Sequence, residues 1–123
     1  MKVAKPALPN PRRGEIWRVN FDPKRGSEAD KVRPAVVLSV NGIGRLPVRV
    51  VVAITGWDDT YEGSAWHVRI EPKPSNGLIK SSSVDALQVR TVSLERFGEK
   101  LGLLTDEQLY DVVSAVAIVL GIQ

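Results

Sequence analysis

Apolar residues recur at every second position through most of this chain and take up a helical spacing only near its end. Trp17, Val19 and Phe21 alternate with Arg18 and Asn20; Val48, Val50, Val52 and Ile54 share one face; Trp66, Val68 and Ile70 alternate with His67 and Arg69. A period of two marks a strand with one side turned to a core. The pattern predicts strands over 15–21, 34–40, 48–54, 65–70 and 83–92, with a short edge strand at 101–104. Five or six short strands with no crossover helix between them, closed by a single helix, describe a mainly β fold, a small β-barrel with a C-terminal α-helix.

The segments between the strands refine this reading. Residues 34–40 are apolar almost throughout, so both faces of that strand are expected to be covered. Pro34 fits at its start, where no ladder donor is lost. The connection over 22–31 holds Pro23, Gly26 and alternating charges. It is long for a hairpin, and long loops tend to carry function. Ser93 is placed to cap a single turn ending at Gly98. Thr105 and Gln108 form a capping box for the last helix, whose stripe is Leu109, Val112, Val113, Val116 and Val119. Pro6, Pro9 and Pro11 mark residues 1–12 as a tail without regular structure, leaving 13–123 as one domain.

Composition narrows the chemistry. The 123 residues include no cysteine, which removes disulfides, thiolate metal sites and thiol catalysis. No signal-peptide core and no apolar run of membrane-spanning length occur, so a cytoplasmic protein without a membrane partner is expected. Positive charge is concentrated in the first half. Residues 1–60 hold 11 Lys and Arg against 6 Asp and Glu, and residues 61–123 hold 6 against 8. A basic half of this kind suits a polyanion. Glycine-rich phosphate loops and GxSxG elbows are missing. The single histidine, His67, rules out a two-histidine ribonuclease mechanism. Asp58 and Asp59 are adjacent and lack a third ligand, so no metal site and no cofactor are expected.

One cation stands apart. Arg33 precedes Pro34 at the mouth of the fully apolar strand, a fixed guanidinium at the end of a rigid element. Such a group binds a phosphodiester in bidentate fashion and stabilises charge on its oxygens.

The stretch RGEIWRVNFDPKRGSEADKVRPAVVLS, the strand VVVAITGW and the run SSSVDALQVRTVSLERFGEKLGLLTDEQLYDV together resemble the MazF/PemK family of toxin endoribonucleases, across about residues 12–120. These share the SH3-like barrel of the Kid and CcdB toxins. The resemblance implies Arg33 and Thr55 as a catalytic pair. It implies metal-free cleavage of single-stranded mRNA by the ribose 2′-OH, giving 2′,3′-cyclic phosphate and 5′-OH ends. It further implies a homodimer restrained by an acidic antitoxin protein. On pKa grounds Arg33 acts mainly by electrostatic stabilisation, and Thr55 orients the 2′-OH or a phosphate oxygen.

Candidate RNA contacts are Lys24, Arg25 and Lys31 in the first loop, Trp57 beyond Thr55, His67, and Gln88. Ser82 or Ser83 stands where relatives open this strand with a serine. Leu87 occupies the position where many relatives carry an acidic residue, so that carboxylate's role does not transfer. The same barrel also supports gyrase binding in CcdB, so a gyrase-binding toxin and a catalytically degenerate nucleic-acid binder are the alternatives.

Overall fold

The computed structural model of the chain describes residues 7–21, 32–43 and 45–122. Six strands form one antiparallel sheet: β1 (Glu15–Asn20), β2 (Val32–Val37), β3 (Val48–Gly56), β4 (His67–Ile70), β5 (Ser82–Ser93) and β6 (Phe97–Leu103). Their spatial order is β4-β5-β3-β2-β1-β6. One helix, α1 (Asp106–Leu120), follows. The mainly β class with a C-terminal helix is thus the observed one. Strands β4 and β6 end the sheet, and the loop over 71–81 bridges them, since the Leu103 N–H donates to the Ser75 carbonyl at 3.0 Å.

Both faces of the central strands are covered, as the composition of 34–40 requires. Ile16, Val36, Val52, Ile54, Ile70, Val84 and Val112 form one cluster beneath α1. Val19, Phe21, Ala35, Val37, Val51, Ala53, Val92, Leu94 and Phe97 form a second cluster on the opposite face, with Trp17 packed against it. Each fully buried aliphatic side chain contributes about 1.5–3 kcal/mol, so this two-sided burial carries the stability of β2 and β3.

Helix α1 begins with the expected capping box. Thr105 Oγ1 accepts from the Gln108 N–H at 3.1 Å, and Gln108 Oε1 accepts from the Thr105 N–H at 3.0 Å. Gly121 closes the helix in the left-handed region at φ 73°. Val112 and Ala115 are its buried residues, while Val119 is only half-buried.

Several boundaries differ from the sequence reading. Strand β2 covers Val32–Val37 rather than 34–40, and Pro34 is its third residue, because pairing with β1 runs on past Pro34 to Asn20–Val32. The edge strand predicted at 101–104 is the seven-residue β6, paired with β1 from Glu15–Leu103 to Val19–Phe97. Its polar residues Glu99 and Lys100 face solvent and hide the alternation. The turn capped by Ser93 covers Leu94–Arg96 and passes straight into β6, so Gly98 ends nothing. Strand β4 starts at His67, because Trp66 is exposed and outside the ladder. Ahead of β1, the buried Arg49 donates to the Pro11 carbonyl at 3.0 Å and to Asn10 Oδ1 at 3.0 Å, fixing the end of the irregular N-terminal segment. Among the described residues no helix is long and apolar enough to cross a membrane.

Candidate functional site

Strand pairing aligns one transverse row of side chains. Cross-strand partners project to the same face of a sheet. Val19 pairs with Arg33, Thr55 pairs with Ser83, and Ser83 pairs with Arg69. Between β2 and β3 the last ladder pair is Ala35–Ala53. Arg33 and Thr55 lie two residues beyond it on their strands, so they share the face of Ala35 and Ala53. The row therefore reads Val19, Arg33, Thr55, Ser83, Arg69. Pro34, which has no N–H to donate, sits where the β2–β3 ladder stops. The Arg-Pro dipeptide thus coincides with the opening in which Arg33 and Thr55 stand.

A cavity of about 240 Å³ occupies this opening, lined by Arg33, Thr55, Gly56, Ser82, Lys80 and Arg18 together with apolar residues including Ile54 and Leu78. Among the described residues no carboxylate lines it. Arg18 is paired with Glu99 at 3.3 Å. Arg33 is exposed and has no side-chain partner among the described residues. Ser83 is fully buried beside Thr55, and its hydroxyl has no hydrogen-bond partner among the described residues.

A second cluster flanks the row. The Arg69 guanidinium lies 4.8 Å from the Trp57 ring centroid and donates to Glu71 Oε1 at 2.7 Å. The Ser81 hydroxyl hydrogen bond holds the Glu71 carboxyl below its ordinary range; slight burial opposes this, and Arg69 adds to the lowering. Trp57 meets Tyr61 edge to face at 5.7 Å. Tyr61 in turn stacks on His67 at 3.9 Å with an interplanar angle of 5°.

The structure separates the predicted site residues into groups. Arg33 and Thr55 share the row and the cavity. Trp57 borders the row through Arg69. His67 lies on the same sheet face but is occupied: Nδ1 is 2.9 Å from Ser64 Oγ, Nε2 is 3.8 Å from Asp85 Oδ2, and only 12% of its side chain is exposed. Gln88 and Leu87 are exposed and outside the cavity, in a segment where β5 bulges: Val84 pairs with Ile54 and Val89 with Val52, so 85–88 oppose Ala53 alone. Lys24, Arg25 and Lys31 lie outside the described residues. No cluster of three or more candidate metal ligands occurs among the described residues.

Comparison with known proteins fixes the relationship. The family model for the PemK-like, MazF-like toxin of type II toxin-antitoxin systems matches residues 12–120. The chain belongs to this family. Its MazF-like relatives include a protein of Staphylococcus saprophyticus named Endoribonuclease MazF, 35% identical over 90% of this chain and 92% of that one. A MazE–MazF crystal structure from Deinococcus radiodurans superposes with a TM-score of 0.74 at 22% identity, covering 93% of this chain and 98% of that one. A mycobacterial endoribonuclease in complex with its cognate antitoxin superposes at 0.71 and 20% identity, covering 92% and 97%. The fold is therefore the MazF-like one, and the relatives named for an activity are endoribonucleases rather than gyrase binders.

In this MazF-like frame the residues that sequence reasoning passed over are Lys80, Arg69 and Arg18, and the serine choice falls on both candidates. Ser82 lines the cavity, while Ser83 is the partner of Thr55. Lys80 reaches the site only because Gly56 pairs with Ser82, two residues further on. Nothing local in the chain signals that.

Proposed function

We propose that this MazF-like toxin is an endoribonuclease that cleaves single-stranded mRNA with its own side chains. The observation that carries the reading is the juxtaposition of Arg33 and Thr55 in one row and in one cavity whose described lining holds no carboxylate. Arg33 holds two phosphate oxygens and offsets the charge that builds on them in the phosphorane. Thr55 orients the 2′-OH or a phosphate oxygen. The 2′-oxygen bonds to phosphorus as the P–O5′ bond breaks. The 2′ proton is lost and the departing 5′-oxygen gains one, leaving a 2′,3′-cyclic phosphate and a 5′-OH. The exposed cations Arg33, Arg69 and Arg90 on one sheet face suit the RNA backbone, and the same face suits an acidic segment of the antitoxin.

A homodimer fits the apolar surface at the far end of α1. Leu38, Val40, Val50, Val89, Val113, Val116 and Leu120 line an apolar groove there, and Val40, Ile118 and Leu120 are exposed.

The test is incubation of the purified protein with a long single-stranded RNA in EDTA, beside Arg33→Ala. Cyclic-phosphate ends that persist in EDTA and fall by about 10²–10³ in the variant are expected. RNA left intact at micromolar protein would overturn the proposal.

A further inference from the structure

We propose that Lys80 is a second phosphate ligand of this site, binding the RNA phosphate next to the one held at Arg33 and Thr55. The inference rests on the endoribonuclease reading above and adds a residue that neither the Arg-Pro motif nor the relatives' names supply.

Lys80 is delivered by a rigid support. The loop over 71–81 is organised by Asn76, which is 1% exposed. The Asn76 amide donates to the Glu71 carbonyl at 2.9 Å, and its oxygen accepts from the N–H groups of Lys73 and Leu78 at 3.0 Å each. Gly77, at φ 69°, lies so close to the Leu101 carbonyl that no side chain fits. Leu78 then enters the core cluster under α1. On the other side of Lys80, the Ser82 hydroxyl donates to the Lys80 carbonyl at 2.8 Å, and the Trp57 N–H donates to the Ser81 carbonyl at 3.0 Å. The two residues between these anchors, Ile79 and Lys80, project as a short prong.

The position and surroundings of the ammonium point to an anion. A Cβ built on Gly56 would lie 3.3 Å from Lys80 Nζ, so the charge rests against the residue following Thr55, on the sheet face of Ile54, where the cavity is also lined by Leu78 and Ser82. It shares the cavity with Arg33, and among the described residues no carboxylate lines that cavity to balance the two. The nearby Glu71 is committed elsewhere, to Arg69 at 2.7 Å and to the Ser81 hydroxyl at 2.7 and 2.8 Å. Lys80 has no ion pair among the described residues. Two cations lining one cavity, with no counter-charge among its described residues, favour a ligand that carries more than one negative charge in sequence, which a nucleic-acid strand does. Ile79, 94% exposed, offers an apolar surface beside the ammonium for the ribose or base attached to that phosphate.

The experiment uses a short RNA whose cleavage position has been mapped with the wild-type protein. It is made uncleavable by 2′-deoxy substitution there, and neutral methylphosphonate is placed at either flanking linkage. Wild type, Lys80→Ala and Lys80→Arg are compared by binding titration at several salt concentrations. Lys80→Ala is expected to weaken binding about tenfold and to lower the slope of log K against log salt by about 0.7, the share of one single-strand phosphate contact. One of the two methylphosphonates should weaken wild type by a similar factor and add nothing in Lys80→Ala, while Lys80→Arg retains most of the affinity. Unchanged affinity and slope in Lys80→Ala would overturn the proposal. So would independent, multiplying losses from Lys80→Ala and both methylphosphonates, or a fall in kcat with binding untouched. Failure of the wild type to cleave any RNA would sink the endoribonuclease reading alone, because salt slopes on intact RNA still read Lys80.

Discussion

At the scale of single residues, the site is built from groups with unequal degrees of freedom. Arg33 is exposed and unpaired among the described residues, so its loss removes chemistry without removing packing. Ser83 is the reverse case: its hydroxyl is buried next to Thr55 without a partner among the described residues. A buried, unsatisfied hydroxyl costs about 1–3 kcal/mol. Ser83→Ala is therefore expected to raise the unfolding free energy by about 1 kcal/mol in urea titration, and a destabilised variant would show that the hydroxyl is bonded after all. Arg33 was legible in the sequence as the cation beside Pro34 ahead of an apolar run, although it stands inside β2, paired with Val19, rather than before the strand. Thr55 became its partner through the resemblance, and the register gives the geometric reason. His67 was read as an RNA contact, yet its ring is stacked on Tyr61 and both nitrogens face Ser64 and Asp85. Aromatic packing across a loop leaves no trace in a period-two pattern.

At the scale of elements, the loop over 71–81 and the β1–β6 edge decide how firmly the site is held. A side chain at Gly77 meets the Leu101 backbone and a left-handed φ at once. Gly77→Ala should cost about 3 kcal/mol, measured by thermal unfolding, and should loosen Lys80 and Ser82 with it. At the other edge, Glu15 on β1 pairs with Lys100 on β6 at 2.8 Å. Partial burial raises the Glu15 carboxyl, but hydrogen bonds from Lys100, the Arg12 backbone and Trp17 together outweigh it and hold the carboxyl below its ordinary range. A carboxylate lowered on folding stabilises the fold above its unfolded value, about 4.3. That contribution is lost as pH falls through the lower folded value. Glu15→Gln should therefore flatten the acid limb of the melting temperature against pH below about pH 4. A limb as steep as in wild type would refute the linkage. The sequence shows only the end of strand β6, at 101–104, because Glu99 and Lys100 interrupt the alternation ahead of it.

At the scale of the whole molecule, the two proposed surfaces lie at different places. One is the cationic row and cavity at the splayed ends of β2 and β3. The other is the apolar groove between β2, β3, β5 and the end of α1. If the groove is the homodimer contact, Leu120→Asp should shift the protein toward monomer in sedimentation velocity while leaving the helical circular dichroism signal intact. A dimer of unaltered strength would move the contact elsewhere. The fold class was readable because local periodicity and the absence of crossover helices leave few architectures for so short a chain. The composition of the site was only half readable, since Ser83 meets Thr55 through pairing of distant segments, and Arg69 joins the row only as the partner of Ser83 on its other side.

The bulge in β5 has a broader consequence. Val84 and Val89 are five positions apart, yet both pack in the cluster under α1. The strand thus changes phase between them, and odd and even positions exchange sides. Ser83 and Asp85 before the break share a side with Arg90 and Val92 after it. Any comparison that slides one related chain along another through this strand with a one-residue gap misplaced will swap inside for outside over half its length. The break also sets Ser82 beside the cavity while Val92, on the far side of it, packs in the opposite core cluster.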